Sequence, residues 1–304
     1  MNNNIKGVLF GIIASISYGM NPLFSLPLYA EGMTPDSVLF YRFIFAALLL
    51  GGILVLKGES LKIKKKEILP LFTYGVLFSF SSLFLFQSFL FMDAGIASTI
   101  LFVYPILVAV IMVLFYKEKA SLLTFSCIGL SMIGIVLLYK GDGQTALNGK
   151  GLFLVALSAL AYSLYIVGVG RSSLRSMPIG KMTFWTILFG ASIYLLRTQF
   201  LFHLQPVPSF NDWLNILGLA LIPTVVSILF INIAIKHIGS TSTAIIGALE
   251  PVTALMIGVL VFHEQITLRI IFGVLLILMA VSFIVAGKPL LSDISRRIKR
   301  PSAS

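Results

Sequence analysis

Ten apolar runs, each close to the roughly 20 residues that an α-helix needs to cross about 30 Å of hydrocarbon, follow one another with little chain between them. They fall at 5 to 29, 36 to 56, 68 to 91, 95 to 116, 121 to 139, 150 to 169, 179 to 196, 211 to 235, 240 to 262 and 266 to 286. A bilayer core offers backbone N–H and C=O groups no water, so spans of this length must satisfy their hydrogen bonds internally as helices. The expected fold class is therefore an all-α membrane protein with ten transmembrane helices. Pro35, Pro70 and Pro178 stand at expected helix starts, where a missing N–H costs nothing.

Only 11% of the residues are charged, against about a quarter in soluble domains, which excludes a soluble fold. The net charge of +11 would suggest nucleic acid in a soluble chain. Here the lysines and arginines lie in short segments between apolar runs, which makes them a topology signal; no nucleic-acid partner is expected, and the lipid bilayer is the expected surrounding. With the N-terminus inside, all 22 basic residues except Arg42, Lys140, Lys150, Arg197 and Arg269 fall on cytoplasmic segments. That asymmetry predicts a multi-pass protein of a bacterial plasma (inner) membrane, with N and C termini cytoplasmic. The first run is too long for a signal peptide and further spans follow, so it is expected to be retained.

The chain repeats itself. GVLFGIIASISYGMN from Gly7 is echoed by GLFLVALSALAYSLY from Gly151, an offset of 144 that matches Gly7 with Gly151, Tyr18 with Tyr162 and Asn21 with Tyr165. A second pattern links the fourth and ninth runs: Pro105 is followed thirteen residues later by Glu118, and Pro251 thirteen later by Glu264. Two halves of five helices each, 1 to 140 and 141 to 288 with a basic tail at 289 to 304, follow from this. An odd helix number inverts the second half relative to the first, and inverted five-helix repeats are a transporter signature.

The tandem halves, the Gly-x10-Tyr opening of each, and the LEPVTALMIGVLVFHE segment at 249 to 264 resemble the drug/metabolite transporter superfamily, in its EamA-like branch. The resemblance covers residues 5 to 286. It implies a 5+5 inverted-repeat carrier with a central cavity, in a family whose members export amino acids or other metabolites. Tyr104 precedes the proline of the first half where Glu250 precedes that of the second, so the halves are expected to be functionally unequal.

Glu250 is the first candidate. It lies about ten residues into its run, hence about 15 Å deep, where a charge costs about 3 kcal/mol. It is expected to be protonated, paired or facing water. It either contacts substrate or carries a proton, or it bridges to a neighbouring helix. Helical periodicity puts Thr243, Gly247, Glu250 and Ala254 on one stripe and Ala97, Leu101, Tyr104 and Val108 on its equivalent. Pro105 and Pro251 are expected kinks. Tyr18 and Asn21 on the first run, and Tyr162 and Tyr165 on the sixth, would border a cavity for an amphipathic solute or pack with satisfied hydroxyls. Gln87 and Asn232 are uncharged polar groups inside spans, lining the cavity or bridging helices. Arg42, about six residues into the second run, can snorkel to lipid headgroups or meet a substrate carboxylate. Trp185 and Lys181 look like an interfacial anchor, and Glu118 and Glu264 like helix-start residues.

Cys127 stands alone, and His203, His237 and His263 fall in separate loops. No HExxH, Walker-type or GxSxG pattern is present. No metal, cofactor or enzymatic activity is expected, and an ATP-driven pump is excluded within this chain. The expected function is secondary transport of a small polar metabolite, foremost export of amino acids or related metabolites. A sugar-phosphate, nucleotide-sugar or drug carrier is the alternative, ahead of a channel or a membrane-embedded enzyme. A proton is a candidate coupling ion, and the sequence leaves the oligomeric state open.

Overall fold

The computed structural model describes residues 3–92, 94–117, 122–138, 148–174, 176–262, 268–269, 271–273, 275–276, 278–280 and 283, and among them no strand occurs. Glu118, Glu264, His263 and the tail at 289 to 304 lie outside the described residues. Seven helical stretches are long and apolar enough to cross a membrane: Asn3–Ala30, Pro35–Leu56, Lys65–Ser88, Gly149–Gly170, Ile179–Arg197, Phe210–Ile238 and Ser240–Val261. Shorter apolar helices cover Tyr104–Tyr116, Phe125–Gly134 and Ile271–Ala280.

Several runs that read as continuous are interrupted. The first is divided at Met20 into α1 (Asn3–Gly19) and α2 (Asn21–Ala30), with Pro22 in the opening turn of α2. After α3 (Pro35–Leu56) and α4 (Lys65–Ser88), the fourth run divides into α5 (Ala94–Leu101) and α6 (Tyr104–Tyr116). Pro105 sits in the first turn of α6, so the expected kink is a full break. Then come α7 (Leu122–Leu138), α8 (Gly149–Gly170) and α9 (Ile179–Arg197). The eighth run is α10 (Phe210–Ala220), a π-helical turn at Leu221–Val226 containing Pro223, and α11 (Ser227–Ile238). The ninth is α12 (Ser240–Ile246) and α13 (Leu249–Phe262), with Pro251 just inside α13. Proline deletes one N–H and collides with the preceding carbonyl, which is why each break lies within a few residues of one.

Local chemistry sets the ends. Thr34 Oγ1 accepts from the Ser37 N–H at 3.5 Å to start α3, and Asn148 Oδ1 accepts from the Lys150 N–H at 2.9 Å to start α8. Glu67 accepts from the Lys64 N–H at 2.8 Å. This carboxylate closes the first turn of α4 three residues ahead of the apolar run, so Pro70 lies inside the helix instead of at its start. His237 belongs to the last turn of α11 and not to a loop.

The strongest helix contacts are α1 with α11, α4 with α8 and α9, and α3 with α9; α1 with α13 and α6 with α8 follow. A methyl group at Gly75 of α4 would stand 2.7 Å from Thr186 O and 2.9 Å from Gly190 N of α9, so only glycine permits this backbone approach. Leu48, Phe115 and Phe153 remain exposed on the outside, as an apolar solvent allows. At the α2–α3 end, Arg197 Nε and Nη2 donate to the two Asp36 carboxylate oxygens at 2.7 and 2.9 Å, and Tyr41 Oη donates to Gln205 O at 2.9 Å. At the opposite, α8–α9 end, Trp185 Nε1 donates to Leu61 O at 2.9 Å and Lys181 Nζ to Lys62 O. The expected interfacial pair thus also holds the segment between α3 and α4.

Candidate functional site

The interrupted helices meet at the centre. The break between α5 and α6 releases Tyr104 at the start of a new helix, and the break between α12 and α13 does the same for Glu250. Tyr104 Oη donates to Glu250 Oε1 at 3.3 Å. Tyr104 is fully buried and Glu250 is 6% exposed. The two residue stripes read from the sequence are both buried, and they face each other at this contact. Gly19, at the end of α1, has no room for a side chain: a Cβ would stand 2.5 Å from Glu250 O and 2.7 Å from the Thr253 Cβ. Helix α1 therefore ends directly on the Glu250 backbone.

Beside this pair stand three tyrosine rings in near-parallel orientation. Tyr18 and Tyr162 have centroids 5.8 Å apart at 10°, and Tyr162 and Tyr165 are 6.4 Å apart at 6°. Tyr104 meets Tyr162 edge-on at 4.7 Å, and Phe78 packs on Tyr165 at 5.4 Å. Tyr165 Oη donates to Asn232 Oδ1 at 2.8 Å, and Asn232 Nδ2 donates to Thr183 Oγ1 at 3.0 Å. Asn232 also lines a cavity of about 520 Å³ with Met112, Met182, Arg171, Lys236 and Ser240. This cavity opens at the α8–α9 end, and Arg171 at its rim stacks over Tyr116 at 4.9 Å.

Tyr18, Asn21 and Glu250 border a second, narrow crevice with Ser98 and Leu101. Asn21 Nδ2 donates to Tyr18 O at 2.8 Å, while Asn21 Oδ1 has no partner. Tyr18, Asn21, Tyr162 and Tyr165 are all buried and none is turned outward. Tyr18 and Asn21 line the narrow crevice, and the stack of Tyr18, Tyr162 and Tyr165 runs from it to Asn232. Gln87 is apart from the cluster, half-buried in the last turn of α4.

Arg42 does not reach the surface: it has no exposure at all. Its Nε donates to Thr224 Oγ1 at 2.5 Å and its Nη2 to Pro223 O at 3.2 Å, both on the π-helical turn. Its guanidinium lies 5.2 Å from the Phe86 centroid. The headgroup contact open to it on the sequence is thus not made. Thr183, Thr224 and Ser82 were invisible as site residues, because a lone hydroxyl in an apolar run carries no pattern. Among the described residues no group of His, Cys, Asp and Glu is placed to hold a metal.

The comparisons agree with this architecture. A protein named Uncharacterized transporter sll1319 from Synechocystis is 31% identical over 66% of the chain, which spans 61% of that protein's length. Uncharacterized transporter YdfC from Bacillus subtilis is 28% identical over 80% of the chain and 79% of its own length. A crystal structure at 16% identity superposes with a TM-score of 0.78 over 97% of this chain and 99% of that one, which shows the fold alone. The family described as EamA-like transporter matches residues 5–140 and 149–286. Two matches that together span nearly all ten runs make the chain a multi-pass membrane transporter belonging to the EamA-like family.

Proposed function

We propose that this transporter is a secondary carrier of ten membrane helices in two inverted five-helix halves, moving a small polar metabolite by alternating access. Amino acids or related metabolites are the foremost candidates, and export from a bacterial cytoplasm is the direction proposed. The observation that carries the reading is the cavity of about 520 Å³, open at one end of the bundle and stopped by the tyrosine stack. Beyond the stack, the opposite end is fastened by Arg197 and Asp36, Arg42 and Thr224, and Tyr41 and Gln205. A path open to one side only is what a carrier requires and a channel does not.

The helix contacts support two inverted halves. Exchanging the halves carries the α1–α11 contact onto α8–α4, returns α3–α9 to itself, and carries α1–α13 onto α8–α6. Gly7, at the start of α1, lies against Ile238, whereas Gly151, at the start of α8, lies against Phe91 and Met92 at the opposite end of the bundle. The paired opening helices of the halves therefore run in opposite directions. On the topology argued from the basic residues, the open end carrying Arg171 and Lys236 is cytoplasmic.

Counterflow tests the reading. Proteoliposomes preloaded with an unlabelled metabolite should accumulate the labelled form transiently and saturably for at least one amino acid or close relative. Flux that rises linearly with concentration, or none across amino acids, sugar phosphates and nucleotide sugars, would refute a carrier of these solutes.

A further inference from the structure

Arg42 carries more donors than its contacts use. A guanidinium has five N–H donors. The Arg42 contacts to Thr224 Oγ1 and Pro223 O use Nε and Nη2, and Nη1 makes no hydrogen bond although it is fully buried. Thr224 Oγ1, which accepts from Arg42, itself donates to Leu219 O at 2.7 Å. No carboxylate among the described residues neutralises the charge: Asp36, lower on the same helix, is taken by Arg197, and Glu250 accepts from Tyr104.

The hydroxyls near Arg42 make no hydrogen bond to Nη1 either. Tyr18, Tyr29 and Tyr194 lie within electrostatic reach of the guanidinium. Tyr194 Oη is used, donating to Ser79 O at 2.8 Å. Tyr29 Oη is buried without a partner, and Tyr18 Oη and Ser82 Oγ are buried with none but each other. Buried polar groups are as a rule paired, and a buried cation with unused donors around it is costly until an anion arrives. One positive charge, its free Nη1 edge and three hydroxyls bonded to nothing outside the group compose half of a binding site. The missing half is an acceptor-rich group of one negative charge. Tyr18 stands within electrostatic reach of both Arg42 and Glu250, so a group bound at Arg42 has the Tyr104–Glu250 pair on the other side of one ring.

We propose that Arg42, Tyr18, Tyr29 and Ser82 form the subsite for the carboxylate of a zwitterionic substrate, whose ammonium end faces Glu250. The inference rests on the carrier reading and names its substrate class. A single arginine matches a singly charged carboxylate better than a phosphate dianion. The subsite lies beyond the tyrosine stack from the open cavity, so a solute reaches it when the Tyr162 ring yields. The π-helical turn fixes the guanidinium through Thr224 and Pro223 and leaves Nη1 free for the substrate.

Thermal unfolding of the purified full chain in detergent reads binding without requiring transport. The probes are the L-amino acids, each paired with its primary amide, which keeps the side chain and ammonium and lacks the carboxylate, together with inorganic phosphate. At least one acid should raise the midpoint saturably, with its amide needing a concentration at least tenfold higher. Arg42→Gln should abolish that difference and Arg42→Lys, which keeps the charge and loses the fork, should reduce it. Tyr29→Phe removes a hydroxyl that holds nothing in the ligand-free fold, and Ser82→Ala one that meets only Tyr18. They should weaken the acid at least threefold and leave the amide unchanged, and they decide the matter if Arg42→Gln does not fold. Equal midpoints for acid and amide, stabilisation by phosphate alone, no binding of any acid, or unchanged affinity in the tyrosine and serine variants each overturn the subsite. Counterflow of a solute lacking a carboxylate would keep the carrier and remove this subsite. Arg42-dependent acid binding without counterflow of any solute would do the reverse.

Discussion

Gly247→Ala isolates the contact between the two interrupted helices. The new Cβ would fall inside the van der Waals shell of Tyr104 Oη and 2.9 Å from Tyr104 Cζ. Tyr104 cannot retreat. It is fully buried, its ring meets Tyr162 at 4.7 Å and Phe102 at 5.6 Å, and its carbonyl accepts from Ser163 Oγ at 3.1 Å. Overpacking of this kind costs about 1–3 kcal/mol, and loss of the Tyr104–Glu250 hydrogen bond adds about 1 kcal/mol. Gly247→Ala should therefore destabilise by roughly 2–4 kcal/mol. Tyr104→Phe alone forfeits only the hydrogen bond, about 1 kcal/mol. In the double variant the atom that collides worst is gone, so its cost should fall below the sum of the singles by about 1 kcal/mol or more. Unfolding midpoints in a graded mixture of mild and denaturing detergent measure all four proteins. Additivity to within about 0.3 kcal/mol would show that the alanine methyl and the tyrosine hydroxyl do not compete for one space, and would refute the reasoning.

Glu250→Gln keeps shape and hydrogen-bonding capacity while removing the titratable proton. It should insert and fold normally but lose uptake or its pH dependence, and wild-type transport from about pH 5 to 8 would make Glu250 a structural bridge. Reporter fusions after Lys66 and after Arg300 should both read cytoplasmic, and a periplasmic signal from either rejects the proposed orientation.

The helices were legible because the bilayer enforces length and apolarity, and the helices α1 to α13 begin and end within three residues of the first nine runs read from the sequence. What the runs could not disclose was where the backbone lets go. Pro105 and Pro251 announce a local weakness, but the sequence distinguishes no bend from a break. Pro22 marks the weakness near Met20, but the passage of Gly19 against Glu250 O is a tertiary demand with no local sign. The π-helical turn at Leu221–Val226 belongs to the same class, since Arg42 bonds it from a helix 182 residues away along the chain. Tyr18, Tyr162, Tyr104 and Glu250 were readable as a site through the repeat register, which makes equivalent residues converge. Depth alone left Arg42 two possibilities, since a long side chain near a helix end can snorkel, and the positions of Thr224 and Pro223 hold it inward. Gln87, half-buried near the end of α4, carries no sequence pattern that would tie it to the cluster.

The inequality of the halves has a physical consequence at the proposed pseudo-twofold axis. Tyr104 and Glu250 occupy equivalent positions, 146 residues apart, and they bond to each other. Equivalent residues can touch only where the axis itself passes, so whatever stands at this position in one half is met by its counterpart in the other. A strictly symmetric chain would place two glutamates at hydrogen-bonding distance, and one of them would have to hold a proton permanently. Two tyrosines would leave no titratable carboxylate in the cluster. One of each gives a single carboxylate with a donor aimed at it. Its contact joins the two helices, α6 and α13, that begin immediately after their breaks. Relative movement of the halves must stretch or remake this bond, because its two ends belong to different halves. A group that exchanges Tyr104 for a substrate ammonium would thus alter both the charge balance at Glu250 and the tie between the halves in one event.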